Sequence, residues 1–244
     1  MIDYKDKKTW DLFKDGLTKG IFQLESNLGR AWSKRLAPTN IEELAALIAL
    51  IRPGCLKAVT DGKSMTQHYV DRKNKKEDVS YLNEALEEVL KSTYGVLVYQ
   101  EQSMLIAQKL AGFDLQEADV LRKAIGKKKA DLMAQVKEDF TLGCEKVGTV
   151  DAETAKEIFS WIEKSSRYSF NKSHAVAYAM NSYLSAWYKA NHTKEFFMSY
   201  LYYANEKQDP HQEIYELVSE AKLFDIEVKI PNLSSFSRKF QKTP

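Results

Sequence analysis

The sequence has little from which to build a cross-link or a thiolate metal site. Its two cysteines, Cys55 and Cys144, are too few and too far apart for a disulfide framework, so reduced thiols in a cytoplasmic protein are the expectation. Long apolar runs are missing too. The most hydrophobic stretch, residues 44–51, falls far short of the roughly 20 residues a membrane-spanning helix needs, and no signal-like segment is evident. Glycine (10) and proline (5) are scarce, which suits a helix-rich folded chain. Charge of one sign is also lacking: the formal net charge is only +2, so any case for a polyanionic partner has to rest on local clusters. His192 and His211 have no ligand-type neighbours at metal-binding spacing and read as surface residues. No internal repeat or low-complexity tract appears. What is present, 244 residues with 44% hydrophobic content, is enough to bury a core in one large domain or two subdomains.

Periodicity predicts helices throughout. Asn40 and Glu43 read as a capping box, followed by Leu44, Leu47, Ile48 and Ile51 on one face. Pro53 stops that helix by forcing Arg52 out of helical geometry. Residues 57–78 read as a polar basic connection. A helix is expected over 82–91, with Leu82, Leu86, Val89 and Leu90 on one side, broken by Thr93-Tyr94-Gly95. Another is expected over 99–110, its first turn holding Gln100, Glu101 and Gln102, with Glu101 placed favourably on the helix dipole. Asp114 and Glu117 form a second capping box. The helix they open should turn Leu115, Ala118, Leu121 and Ile125 inward and Arg122 and Lys123 outward, and should end at Gly126. Asp151 caps a helix carrying Ala155, Ile158, Phe159 and Ile162. A helix over 175–190 is expected to pack Tyr178, Tyr183, Trp187 and Tyr188 into the core. A last helix covers 210–224, then an extended stretch over 226–230, and the basic tail from Ser234 is expected to be disordered.

Four consecutive residues, Asn171-Lys172-Ser173-His174, bring together an amide, an ammonium, a hydroxyl and an imidazole. That set suits a nucleotide, with a point charge for phosphate and donors and acceptors for sugar or base. Read by itself it is as readily a polar helix start in which Asn171 or Ser173 is the cap. Two residues upstream, Tyr168 and Phe170 offer one ring to the core and one to a base, where stacking contributes roughly 1–3 kcal/mol. Lys127, Lys128 and Lys129 crowd three cations beyond a helix end, which serves either the helix dipole or an anionic partner. Arg52 has the same two readings, a solvated end-of-helix cation or a phosphate contact. The strip holding Arg72, Lys73, Lys75 and Lys76 reads as solvated charge or as a sequence-blind DNA contact, and Gln100 and Gln102 are further DNA-contact candidates.

Five motifs occur in order: Gly20-Ile21-Phe22-Gln23-Leu24-Glu25-Ser26; the stretch ending Ile51-Arg52-Pro53-Gly54; Thr93-Tyr94-Gly95-Val96-Leu97-Val98-Tyr99-Gln100-Glu101-Gln102; Ala118-Asp119-Val120-Leu121-Arg122-Lys123-Ala124-Ile125-Gly126 with its lysines; and the 168–175 cluster. Together, from about residue 6 to residue 232, they resemble the fingers region of C-family bacterial replicative DNA polymerases, the DNA polymerase III alpha subunits. The resemblance implies a mainly α, multi-helix fingers domain with basic loops and little strand. It implies a palm-proximal segment over 1–19, fingers over 20–225 and a linker over 226–244.

The resemblance also implies roles. Arg122, Lys127, Lys128, Lys129, Arg52, Tyr168, Asn171, Lys172, Ser173 and His174 would serve an incoming dNTP, with Arg122 as a forked phosphate ligand. Arg72, Lys73, Lys75, Lys76, Gln100 and Gln102 would serve primer-template DNA. Mg²⁺ would be held by palm aspartates on another chain or domain, because this sequence has no Asp-x-Asp; it also has no His-x-His pair of a phosphoesterase domain. The chain alone is expected to be inactive, with a palm-bearing polymerase chain as its partner and other replisome subunits nearby. The alternative is a non-catalytic nucleic-acid-binding or assembly module derived from such fingers. The sequence departs from the family pattern at Cys55, where proline is usual, at Ser169, where glycine is usual, and at Ser165-Ser166-Arg167, where the run is more apolar.

Overall fold

A computed structural model describes residues 2–127 and 130–229. Among them are thirteen α-helices: α1 (Lys7–Asp15), α2 (Asn27–Leu36), α3 (Ile41–Leu50), α4 (Pro53–Lys57), α5 (Met65–Lys73), α6 (Glu87–Leu90), α7 (Gln100–Ala111), α8 (Leu115–Lys127), α9 (Ala130–Val147), α10 (Ala152–Ser166), α11 (Lys172–Asn191), α12 (Thr193–Tyr203) and α13 (Pro210–Ala221). The strands are β1 (Val59–Thr60) and β2 (Lys63–Ser64), an antiparallel hairpin pairing Val59 with Ser64 and Thr60 with Lys63. The mainly α expectation holds. No described helix is long and apolar enough to cross a membrane.

The chain divides into two compact units: the first runs to Leu44 and resumes at Ala177, and the second is Ala45–Val176. These limits fall at other places than residues 19 and 225.

In the first unit Asp6 caps α1, accepting from the Lys8 N–H at 3.2 Å and the Thr9 hydroxyl at 2.6 Å, and Ser26 caps α2 through the Gly29 N–H at 3.1 Å. Ser33 donates to the Phe13 carbonyl at 3.0 Å and ties α2 to α1. Helices α12 and α13 enclose Phe197, Leu201 and Leu217. The inward face of α11 differs from the expected aromatic one. Ala179, Ser182, Tyr183, Ala186 and Lys189 are buried, whereas Tyr188 is exposed and Tyr178 and Trp187 are only half-buried.

Lys189 has no exposed surface. It pairs with Glu220 and donates to the carbonyls of Leu17 at 2.9 Å and Lys19 at 2.6 Å. Arg30 takes the other oxygen of Glu220, and Lys19 bridges Glu213 at 2.7 Å and Glu216 at 2.6 Å. A buried charge survives only with such company. Burial outweighs the Glu220 pairing and pushes the Lys189 ammonium down to about 8.

In the second unit α7 packs on α8 and α9, and α9 packs on α10. Ile106, Leu110, Leu121, Phe140, Phe159 and Ile162 are buried together there. Gly143 lets α9 approach α7 closely, because a Cβ there would collide with the Ala111 carbonyl. The Asp114/Glu117 box forms in full, each side chain accepting the other residue's N–H at 2.8 Å. Asp151 accepts from Thr154 N–H at 2.7 Å, and Ala155, Ile158, Phe159 and Ile162 are all fully buried.

Several local expectations are corrected. Asn40 caps α3, accepting the Glu43 N–H at 2.9 Å, while Glu43 also accepts the Thr39 N–H at 2.8 Å, and α3 is buried all round from Leu44 to Leu50 rather than on one face. Residues 57–78 hold a hairpin and α5, not a plain connection. The helix expected over 82–91 is a 3₁₀ turn, the single-turn α6 and a second 3₁₀ turn. Leu115 is 72% exposed rather than inward, and α8 runs through Gly126 to Lys127. Residues 226–229 form no strand, and the tail from Ser234 lies outside the described residues.

Candidate nucleotide-binding site

Two segments of the second unit meet at one residue pair. The Phe170 N–H donates to the Val98 carbonyl and the Gln100 N–H donates to the Phe170 carbonyl, each at 2.9 Å, making a parallel bridge between Tyr99 and Phe170. This bridge brings the start of α11 beside the start of α7. Glu101, in the first turn of α7, then serves both helices. Its Oε1 accepts from Asn171 Nδ2 at 2.8 Å and its Oε2 accepts the Lys172 N–H at 3.0 Å. Asn171 Oδ1 accepts the His174 N–H at 2.8 Å. Both ends of the Asn171 amide are thus committed, and this residue is the helix cap that its position allowed.

The rest of the cluster is arranged around that brace. Ser173 and His174 are exposed, the His174 ring lies 5.4 Å from that of Phe170, and the Lys172 ammonium lies 5.7 Å from the Tyr99 ring. Glu101 takes the Lys172 N–H and Asn171 takes the His174 N–H, so two of the first three backbone donors of α11 are already committed and an anion at this helix start relies mainly on the side chains of residues 172–174.

Arg52 is the second brace. With extended backbone ahead of Pro53, it donates from Nε to the Ala49 carbonyl and from Nη2 to the Tyr168 carbonyl, both at 2.7 Å, and its guanidinium lies 4.4 Å from the Phe170 ring centre. The Cys55 thiol, buried beside it, donates to the same Tyr168 carbonyl at 3.5 Å, and burial pushes that thiol up. Tyr168 lies against Gly54, where an added Cβ would come within 2.6 Å of its ring. The departures from the family pattern also take part in this fabric. Ser166 is buried with its hydroxyl 2.8 Å from that of Ser103, and Ser169 donates to the Ser166 carbonyl at 2.8 Å.

Arg122 is only partly buried and is held on its own helix. Its Nε and Nη2 both lie 2.8 Å from Asp119 Oδ1, and Lys123 takes Oδ2 at 2.7 Å. The two cations hold the Asp119 carboxyl below its usual range. Lys128 and Lys129, and the side chain of Lys127, lie outside the described residues.

The DNA-contact candidates separate. Gln102 is corrected: it is buried, its Oε1 accepts the N–H groups of Val98 and Tyr99 at 2.9 and 3.0 Å, and its Nε2 donates to Thr93 Oγ1 at 2.7 Å. It organises the start of α7 and has no free face for DNA. Gln100 is half-buried. Arg72 is largely spent as well. It donates to Glu77 at 2.7 Å, to Ser80 Oγ at 3.2 Å and to the Tyr94 carbonyl at 3.2 Å. Lys63 and His68 join it on Glu77 at 3.0 and 2.8 Å. Hydrogen bonds from Arg72, Lys63 and His68 overcome the cost of burial and hold the Glu77 carboxyl down at about 2. Lys73 is half-buried, and Lys75 and Lys76 are exposed.

Sequence reasoning missed Glu101 and Glu77 as organisers. Glu101 showed only as a dipole-favoured acid, and the partner that gives it work lies 70 residues away.

The family profile described as "Bacterial DNA polymerase III alpha subunit finger domain" matches residues 1–148. The chain belongs to this finger-domain family. Curated relatives extend the likeness over nearly the whole finger-domain chain. The DNA polymerase III subunit alpha of Aquifex aeolicus is 45% identical over 94% of it, that of Escherichia coli K12 39% over 96%, and that of Helicobacter pylori 26695 37% over 98%. The chain spans about a fifth of the length of these relatives, 19–20%. The cluster at residues 168–174 lies beyond the profile match but inside the span shared with these relatives.

Proposed function

We propose that this finger domain binds the triphosphate of an incoming dNTP and lies along primer-template DNA in replication, as the nucleotide-positioning part of a DNA-directed DNA polymerase. The observation that carries this reading is the Glu101-braced start of α11, which keeps Ser173 and His174 at the surface beside Lys172. Arg122 adds a forked phosphate donor once a triphosphate displaces Asp119, and Lys127 to Lys129 add point charges. Lys75 and Lys76 are the solvent-facing cations for the DNA backbone. Arg52 and Asn171 act by shaping the site, not by touching phosphate.

Such a domain contributes position and charge neutralisation, not bond-making groups. Mg²⁺ in the complete enzyme would be held by palm aspartates on another domain or chain. Among the described residues no three His, Cys, Asp or Glu side chains converge as a metal site requires. In this reading the partner is a palm-bearing polymerase polypeptide, and this chain alone would not extend a primer.

The test is dNTP titration of the chain with the variants Arg122→Ala, Lys172→Ala and His174→Ala, followed by primer extension with and without a palm-bearing partner. Loss of dNTP affinity in the variants, with extension only in the complex, is expected. Unchanged dNTP binding in all three variants overturns the reading. DNA binding without dNTP binding would move the assignment to a non-catalytic nucleic-acid-binding module.

A further inference from the structure

A cavity in the second unit adjoins the α11 start and shares Tyr168 with it. The end of α10 and the turn after it form one wall, the hairpin β1–β2 with α5 another, and residues 95–97 the floor, around a volume of about 710 Å³. That volume is in the range of small-ligand pockets. Trp161 and Tyr168 supply aromatic surface to the first wall, and Lys164 and Arg167 supply charge.

The charges are unequal in availability. His68 is held between Glu77 and the Thr60 carbonyl, and Arg72 is spent on Glu77, Ser80 and Tyr94. The side chains of Lys164 and Arg167 are exposed and make no hydrogen bond or ion pair among the described residues. Asp61, at the hairpin tip, is the one carboxylate residue in the lining. The ring of Tyr168 is set in place by contact with Gly54 and by the two donors on its carbonyl, Arg52 and Cys55. This site therefore has positioned aromatics beside uncommitted cations.

From this juxtaposition we infer that the cavity holds a segment of single-stranded DNA, with a base against Trp161 or Tyr168 and its flanking phosphates on Lys164 and Arg167. Stacking surface with adjacent point charges is the chemistry of sequence-blind single-strand binding. Duplex DNA does not suit it, because paired and stacked bases offer no free face to a pocket. A dNTP shares the chemistry but carries all its phosphates on one 5′ chain, whereas a strand places a phosphate on either side of the stacked base, as two separate cations would engage. The inference rests on the reading of this chain as a nucleic-acid-binding finger domain, and adds the unpaired strand to its ligands.

The experiment uses the whole chain with a fluorescent oligothymidylate, a blunt duplex and dNTP as separate ligands. The variant pair Lys164→Glu with Arg167→Glu alters only exposed side chains, so folding is preserved, and circular dichroism checks it. Oligothymidylate affinity is expected to fall at least tenfold, and the salt slope to fall by about 1.4 for two phosphates. Duplex and dNTP binding should stay unchanged. Photocrosslinking of a bromodeoxyuridine oligonucleotide should label Trp161 or Tyr168.

If the double variant binds oligothymidylate as the parent does and no crosslink maps to either ring, the inference is wrong while the dNTP reading stands. If dNTP affinity falls and oligothymidylate binding does not, the cavity is a mononucleotide site and the inference is wrong. If the parent binds neither oligothymidylate nor dNTP, both the inference and the reading beneath it fail.

Discussion

The Oε2 of Glu101 accepts the backbone N–H of Lys172 at 3.0 Å, so the first turn of α7 caps the first turn of α11. Replacing Glu101 by alanine removes this bond and the one from Asn171 together. A hydrogen bond to a charged group contributes about 1.5–3 kcal/mol, so Glu101→Ala should destabilise the second unit by about 2 kcal/mol. It should also weaken dNTP binding at least as much as Lys172→Ala. Urea unfolding and calorimetric titration check the two effects, and a variant with parental values for both would show that the brace is dispensable.

Gln100 and Gln102 should behave oppositely. Gln102→Ala strands the Val98 and Tyr99 N–H groups inside the protein, at about 1–3 kcal/mol for each unsatisfied donor. Gln100→Ala loses no such bond and should leave the unfolding midpoint within about 0.5 kcal/mol of the parent. Equal midpoints for the two variants would contradict the assignment of Gln102 as a structural hub.

Asp119 pairs with both Arg122 and Lys123. Asp119→Asn should therefore tighten dNTP binding by freeing the guanidinium fork, and Arg122→Ala should abolish the gain. A weaker affinity in Asp119→Asn would mean that the carboxylate positions Arg122 for phosphate instead of competing with it.

Gly143 sits where α9 meets the backbone of α7. Gly143→Ala forces the two helices apart, and overpacking of this kind costs about 1–3 kcal/mol, against the slight gain that alanine would bring in a solvent-facing helix. Thermal unfolding decides the sign.

Glu77 makes acid stability testable. Its folded carboxyl is held at about 2, below the ordinary 4.5, so its contribution is fully present above pH 4.5 and is lost as the pH falls from there toward 2. Urea midpoints of the parent and Glu77→Gln should differ most above pH 4.5 and converge toward pH 2. Parallel midpoints across that window would place the carboxylate outside the network.

Local chemistry was legible in the residue order. The Asp114/Glu117 box, the Asp151 cap, the buried stripe Ala155-Ile158-Phe159-Ile162 and the Pro53 break each depend on groups within four residues of one another, so spacing alone determines them. The identity of the family was legible for a similar reason, since ordered motifs can be recognised without knowing where they meet. What each polar side chain does was decided by tertiary structure. Asn171, Arg52, Arg72 and Gln102 all carry groups that suit a nucleotide or DNA. Each is instead spent wholly or largely on backbone, hydroxyl and carboxylate partners, and each has one partner reached only when more distant segments fold together. A donor's availability is set by burial and by the partners the fold supplies, and neither quantity is a property of the residue or its neighbours in sequence.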